Sequence, residues 1–515
     1  MSATFRRREP DAAVHGRETR RPVAGNARCL RSRPMSDTSP PAANGSDPVS
    51  ATPVGGGNSF LLTGMTVLPC EGERTFHEVG SVLVVAGVIA AVGSVDEVSH
   101  HPAAGSVTTV DRSGHVVLPG LHNAHVHSGL LRGTAESMAL WEWLENHVDP
   151  AHRALTPEIA EAASWMAYTE GLLGGTTSVL DMWRFMEGSA RAAEALGIRA
   201  TLAPYTADRY DHFESLETNR RLLETHRSID GGRIQTWVGL EHIFYCSPQM
   251  FRDAAALAEE FDTGIHTHSS ESIWEVQECQ RQYGRRPIEV FYERGILDGP
   301  SIIAHGVWLD DREVSICAET STAITHCPCS NMKLASGPAR IGHYRDAGLT
   351  VGLGTDGEKE NNNLDMFEEM KFASLLHKVS TLDPTVGDPW DILDMATLAG
   401  ARALGIDDVT GSIEVGKEAD LVAVDLRALH FVPVLSGDDF NVPAHLVFTA
   451  SARDVTDVWV RGRHLVSNGE VATVDVTEVA RRAQEAAEEL FERRRALDGP
   501  TASPASELGA PEHSA

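Results

Sequence analysis

Between residues 118 and 410 the apolar positions follow a repeating pattern. Short β-branched runs end near His127, Asp181, Tyr205, His242, His268, His305, His326 and Asp356. Ala- and Glu-rich stretches such as Glu158–Leu173 and Phe251–Phe261 separate them. A continuous short apolar run bounded by turn residues reads as a strand buried on both faces, and a long run of period 3.6 as a helix. Eight strand–helix units in about 290 residues predict an α/β architecture, a (β/α)8 TIM barrel. In such a barrel the functional side chains come from the C-terminal ends of the strands. Those ends are where the histidines fall.

The flanks follow a different rhythm. Phe60-Leu-Leu-Thr-Gly-Met-Thr-Val-Leu, Gly80-Ser-Val-Leu-Val-Val-Ala-Gly-Val-Ile-Ala-Ala-Val-Gly and His115-Val-Val-Leu-Pro are short strands punctuated by glycine. A second set lies at Gly411-Ser-Ile-Glu-Val-Gly, Ala419-Asp-Leu-Val-Ala-Val-Asp and Val455-Thr-Asp-Val-Trp-Val-Arg-Gly-Arg. Neither set closes a sheet alone, so residues 57–117 and 411–476 are expected to build one small β-sandwich from both ends of the chain. Residues 477–498 read as a charged surface helix whose arginine-rich end faces solvent and complements the helix dipole. Residues 1–56, rich in Pro, Gly, Ser, Ala and Arg, and residues 499–515 read as disordered tails.

Composition narrows the partners. The chain has 515 residues and a formal net charge of -29, which disfavours nucleic acid and anionic membrane surfaces. No apolar run reaches the length of a membrane span. The charge suits an enzyme acting on a small neutral or cationic molecule. Seven cysteines, an odd number without a CxxC pair, read as reduced thiols in a cytoplasmic protein. No lysine precedes Lys333, which limits the chemistry available to the first part of the barrel.

The candidate chemistry begins at Pro119-Gly-Leu-His-Asn-Ala-His-Val-His. His125 and His127 lie two apart and so share one face of a strand, where two imidazoles can grip one metal. His122 points the other way, toward the helices, and reads as structural. The fifth strand, Thr263-Gly-Ile-His-Thr-His-Ser-Ser-Glu, offers His268 as a third ligand and Glu271 as a proton carrier. His266 lies deeper on the same face and reads as an interior packing residue. His305 ends the sixth strand, and Asp356 ends the eighth at Val351-Gly-Leu-Gly-Thr-Asp-Gly.

His125-Val-His127, His268-x-x-Glu271, His305 and Thr355-Asp356, in that order and spacing, resemble the amidohydrolase superfamily. The likeness is strongest to its chlorohydrolase/deaminase branch, which contains the S-adenosylhomocysteine/methylthioadenosine deaminases. Leu131-Arg-Gly, Gly174-Gly-Thr-Thr-Ser-Val-Leu-Asp-Met, Arg286-Pro, Ser330-Asn-Met-Lys-Leu-Ala-Ser-Gly and Asn363-Leu-Asp-Met-Phe-Glu-Glu-Met-Lys support it. The resemblance covers about residues 58–475. It implies one divalent metal ion per chain, zinc with iron as the alternative, held by His125, His127, His268 and Asp356. It also implies a homo-oligomer, a dimer or tetramer. A metal-bound water ionises near pH ~7. Asp356 would take its proton, Glu271 would protonate the ring nitrogen and the leaving amine, and His305 would hold the attacking or leaving group. The two-metal variant of the superfamily needs a bridging lysine at the end of the fourth strand. That strand ends Gly239-Leu-Glu-His, with Glu241 as the only conceivable bridge.

The small-molecule heterocyclic substrate would meet Trp143, Trp183 and His242. His152 stands where the deaminases carry a ribose-gripping glutamate after Trp143-Leu144…Pro150. Gly357-Glu-Lys-Glu-Asn-Asn-Asn replaces the expected Gly-Ala-Ala-Ser-Asn-Asn and puts charges beside the pocket mouth. These departures point away from S-adenosylhomocysteine and methylthioadenosine themselves, toward a free base or another substituted ring. The same parts could displace chloride from a triazine or hydrolyse an amide or carbamate. Chloride leaves without a proton and an amine does not, so Glu271 favours deamination. A non-catalytic scaffold would not retain the complete ligand set.

Overall fold

The computed structural model describes residues 58–497 except Glu73, Ala135 and Ala139. The tails expected over 1–56 and 499–515 lie outside the described residues. Eight strands follow one another through the middle of the chain: Leu121–Val126, Thr176–Trp183, Arg199–Pro204, Val238–Leu240, Ile265–Ser269, Ser301–His305, Ala323–His326 and Val351–Leu353. Each is buried along its whole length, as parallel strands covered by helices must be. Helices fill the intervals, several started by a side-chain cap. Thr156 accepts from the Ile159 N–H at the start of Pro157–Leu173, and Ser247 from the Met250 N–H at the start of Pro248–Phe261.

The eight strands pair as two arcs. The first three, extended by Ile234–Thr236 and Ser228–Ile229, form one five-stranded sheet; the last five form another. Individual hydrogen bonds bridge both seams. Trp237 N–H donates to Leu202 O and Glu241 N–H to Thr206 O, each at 2.9 Å. Across the other seam Asp356 N–H donates to His125 O at 3.1 Å. A glycine sits at each seam because the backbones come very close. A Cβ at Gly239 would fall 2.0 Å from Pro204 O, and one at Gly354 would fall 2.8 Å from His125 O. The second seam brings the strand of His125 against the strand that leads to Asp356.

Both chain ends supply one nine-stranded sheet. Leu421–Asp425 joins them, pairing antiparallel with His115–Pro119 from Leu421↔Pro119 to Asp425↔His115. The alternation in His115–Pro119 explains why the strand is buried throughout. Val116 and Leu118 enter the core shared with the barrel, while Val117 enters a second core with Phe60, Leu62, Met65 and Trp459. Phe60 and Trp459 come from strands that are not neighbours, yet their rings meet at 5.7 Å. The sheet therefore curls on itself to enclose that core.

The C-terminal helix runs Val476–Ala496, started by Asp475, which accepts from the N–H groups of Thr477 and Glu478. Its arginine-rich end is not merely solvated. Arg493 donates to Ala154 O at 2.8 Å and Arg494 to Asn146 O at 2.9 Å. The helix thus fastens the segment that follows Trp143.

Candidate active site

Strand alternation sends His125 and His127 to one point and His122 to the opposite side. His122 is buried against Gly400, where an added Cβ would fall 2.9 Å from its own Cβ. Burial pulls its pKa down to about 4, so it stays neutral. On the inner side four donors converge. His127 Nε2 lies 3.1 Å from His268 Nε2. His125 Nε2 and His127 Nε2 each lie 3.3 Å from Asp356 Oδ1. Two atoms at about 2.0–2.1 Å from a zinc ion, at a tetrahedral angle, are about 3.3–3.4 Å apart. These three pairs have that spacing, and donor atoms of His305 and Glu360 also come within 4.8 Å of Asp356.

Each imidazole is aimed by its other nitrogen. His127 Nδ1 contacts Met182 O at 2.7 Å, and His268 Nδ1 contacts Glu241 O at 2.6 Å. His125 Nδ1 contacts His266 Nε2 at 2.8 Å, and His266 Nδ1 contacts Ile302 O at 3.1 Å. Backbone acceptors and His266 therefore present three Nε2 atoms to the centre, the outer-shell arrangement that orients metal ligands. Burial holds His125 below and His127 and His268 well below the ordinary histidine range, which keeps them neutral. Burial works against an ionised Asp356, but the His125 hydrogen bond and the nearby imidazoles hold its carboxyl well below the usual range. Neutral imidazoles and an ionised carboxylate are the forms a divalent ion requires.

His266 is thus more than the packing residue its depth suggests. Outer-shell partners of metal ligands are worth 10–100-fold in affinity. Chelator competition should show about that loss in His266→Leu; unchanged affinity would return His266 to packing.

The remaining polar groups stand around this cluster. His305 Nε2 lies 3.8 Å from Glu271 Oε2 and 3.9 Å from Asp356 Oδ2. Burial opposes a charged His305, yet Glu271 and Asp356 together raise its pKa. Burial raises the pKa of Glu271, which favours a protonated acid ready to donate. Three side chains of the Ser330-Asn-Met-Lys-Leu-Ala-Ser-Gly stretch each hold one of these groups. Ser330 Oγ donates to Asp356 Oδ2 at 2.7 Å, and Ser336 Oγ donates to Glu271 Oε1 at 2.8 Å. Asn331 Oδ1 contacts His305 Nδ1 at 3.0 Å. Sequence reasoning noted the stretch but gave it no role. Ser270, His305 and Asp356 all have positive φ, of 54°, 70° and 59°. Left-handed backbone at non-glycine residues costs of order 1–3 kcal/mol each and concentrates at functional sites.

Trp143 and His242 line the cleft above the cluster, with Trp141, Tyr205, Tyr245, Glu241, Glu275 and Glu360. His242 Nε2 lies 3.2 Å from Glu275 Oε1. His152 and Trp183 stand one residue further out. The His152 ring meets Tyr205 at 5.2 Å and Trp183 at 5.5 Å, and the Trp183 indole donates to Ala160 O at 3.1 Å. The charges of Gly357-Glu-Lys-Glu are buried, with Glu360 among the residues that line the cleft. Glu358 Oε1 accepts from Leu131 N–H at 2.9 Å, and Lys359 Nζ pairs with Glu360 Oε1 at 2.7 Å. Lys333 is a loop anchor, donating to Lys359 O at 2.9 Å and Asn362 Oδ1 at 3.0 Å.

Three imidazoles and an aspartate stand together at the strand ends of this α/β fold, in groups that could hold a metal ion. Residues 116–465 match the amidohydrolase family, and the chain belongs to it. It is 39% identical over 438 residues to a 5'-deoxyadenosine deaminase of Methanothermobacter thermautotrophicus, covering 84% of this chain and 99% of that protein. It is 35% identical over 435 residues to a 5-methylthioadenosine/S-adenosylhomocysteine deaminase of Syntrophomonas wolfei, with 84% and 99% covered. The crystal structure of an adenosine deaminase from Xanthomonas campestris with bound zinc superposes with a TM-score of 0.79 at 34% identity. That match spans 85% of this chain and 99% of the other. The protein is accordingly a hydrolase acting on carbon–nitrogen bonds.

Proposed function

We propose that the protein is a one-zinc aminohydrolase that removes the amino group of an aminated heteroaromatic ring, a purine-like base or nucleoside derivative, as ammonia. His125, His127, His268 and Asp356 would hold the ion, with iron as the alternative metal. When bound, such an ion makes hydroxide available near neutral pH. The observation that carries the reading is the pair of carboxylates, Glu271 and Asp356, facing His305 at 3.8 and 3.9 Å beside the donor cluster. Asp356 accepts a proton on the attacking side. Glu271 delivers one to the ring nitrogen and then to the departing amine. His305, held by Asn331, keeps the attacking or leaving group between them. Trp143 and His242 wall the ring, while His152, backed by Trp183, acts on it through Tyr205. No described helix is long and apolar enough to cross a membrane. The six described cysteines are free and buried, which supports a cytoplasmic setting; a homo-oligomer rests on the resemblance alone.

The substrate is not simply S-adenosylhomocysteine or methylthioadenosine. The position expected to carry a ribose-binding glutamate is His152, an uncharged ring behind Tyr205. Asp149, the nearest carboxylate, already accepts from the Tyr245 hydroxyl at 3.3 Å. Losing a charged hydrogen bond to ribose should cost about tenfold or more in selectivity. Ammonia release across aminopurines, their nucleosides, pterins, cytosines and aminotriazines tests both statements. No ammonia from any ring, or faster chloride release from chlorotriazines, sinks the aminohydrolase. Specificity constants favouring the two nucleosides over every free base sink the departure from them.

A further inference from the structure

The cleft holds more carboxyl groups than the reaction uses. Of its carboxylates, Asp356 and Glu271 serve the chemistry. Glu275 is committed, accepting from the N–H groups of Ser270 and Glu271 at 2.6 and 2.8 Å and facing His242. Glu241 and Glu360 remain. Both line the cleft and both are only 5% exposed. Glu241 Oε1 accepts from the Tyr205 hydroxyl at 3.5 Å, and Glu360 Oε1 pairs with Lys359. Among the described residues nothing donates to Glu241 Oε2 or Glu360 Oε2. A buried acceptor without a donor is costly and rare in a native protein. The backbone even makes room for one of them, since a Cβ at Gly357 would fall 2.2 Å from Glu360 Oε2.

The surroundings fit a particular kind of ligand. Trp141, Trp143 and Tyr205 offer flat apolar walls, and no lysine or arginine lines the cleft among the described residues. Two carboxyl oxygens without donors, in a cleft that also has aromatic walls, suit a planar ring that brings its own N–H donors.

Resting on the aminohydrolase reading, we propose that Glu241 and Glu360 form a recognition subsite for a second N–H group of the substrate. The ring then carries, besides the amine that leaves, another amino group. A second metal ion is the competing occupant, because donor atoms of His127, Asp356 and Glu360 lie within 4.8 Å of one another. The Lys359 ammonium already supplies the positive charge at Glu360 and opposes a further cation there.

The test uses zinc-loaded full-length enzyme, wild type and the Glu360→Gln and Glu241→Gln variants. Adenine is compared with 2,6-diaminopurine as substrate, and purine with 2-aminopurine as a ligand that lacks the leaving amine. The wild type should favour the extra amino group at least about tenfold in kcat/KM and in Kd, the range of one charged hydrogen bond. Each variant should lose most of that preference with zinc content unchanged. Equal treatment of the paired rings by the wild type overturns the subsite, and needs no variant to be informative. So does a preference that survives both substitutions, or loss of metal from Glu360→Gln. Tight binding of 2-aminopurine without ammonia from any ring would sustain the subsite and overturn the aminohydrolase reading alone.

Discussion

Replacing His127 by alanine should leave the protein with little metal and cut turnover by more than about a thousandfold, since water away from a metal ionises near pH 15.7 instead of 7. The expectation follows from the packing of the donors. His127 Nε2 stands 3.1 Å from His268 Nε2 and 3.3 Å from Asp356 Oδ1, so it closes the tetrahedral group from one side. Its other nitrogen is fixed by Met182 O at 2.7 Å. Elemental analysis of purified wild type and variant decides the matter. The wild type should carry about one zinc or iron per chain, as a four-ligand site predicts. Two stoichiometric metals in active enzyme, or normal metal in His127→Ala, would mean that the donor set is wrongly drawn.

Much of this site was legible before the fold, and the reason is geometric. A parallel strand buried on both faces leaves only its C-terminal tip free to carry polar groups. The histidines and the aspartate at the ends of apolar runs therefore announced their place. His125 and His127 could be paired from spacing alone, because strand alternation fixes the face. What stayed hidden depends on contacts between distant segments. Nothing local says that Ser330, Asn331 and Ser336 reach Asp356, His305 and Glu271. Nor does spacing show that His266, two residues short of a ligand, turns its Nε2 to His125. Gly357-Glu-Lys-Glu read as charges beside the pocket mouth, and spacing alone does not show that they are buried. In the fold Lys359 and Glu360 pair with each other, which lets both be buried. The hydrogen bonds of Arg493 and Arg494 stayed hidden for a related reason, since their acceptors are carbonyls more than three hundred residues away. The sheet built from both chain ends was foreseen as a sandwich; its single nine-stranded path depends on one junction, His115–Pro119 against Leu421–Asp425.

Glu271→Gln should keep its metal and lose 10²–10⁴ in turnover, the range expected when a positioned proton donor is removed. The substitution is nearly isosteric, and Glu271 is not among the residues that converge on the donor centre. Its Oε1 accepts from Ser336 at 2.8 Å, and the glutamine carbonyl can do the same. What the amide cannot do is give up a proton to a ring nitrogen and recover it. Burial raises the Glu271 pKa above that of an exposed carboxyl. The protonated, donating form is therefore the one present below the raised pKa, and it is lost as pH rises through it. Turnover in the wild type should fall along that limb. The glutamine variant should show a low and flat profile across it, because its amide does not titrate. Ammonia release measured against pH, with zinc content determined on the same samples, separates proton transfer from loss of the site. Deamination at the wild-type rate in a metal-replete Glu271→Gln enzyme would move the proton carrier elsewhere, with His305 the group nearest to hand.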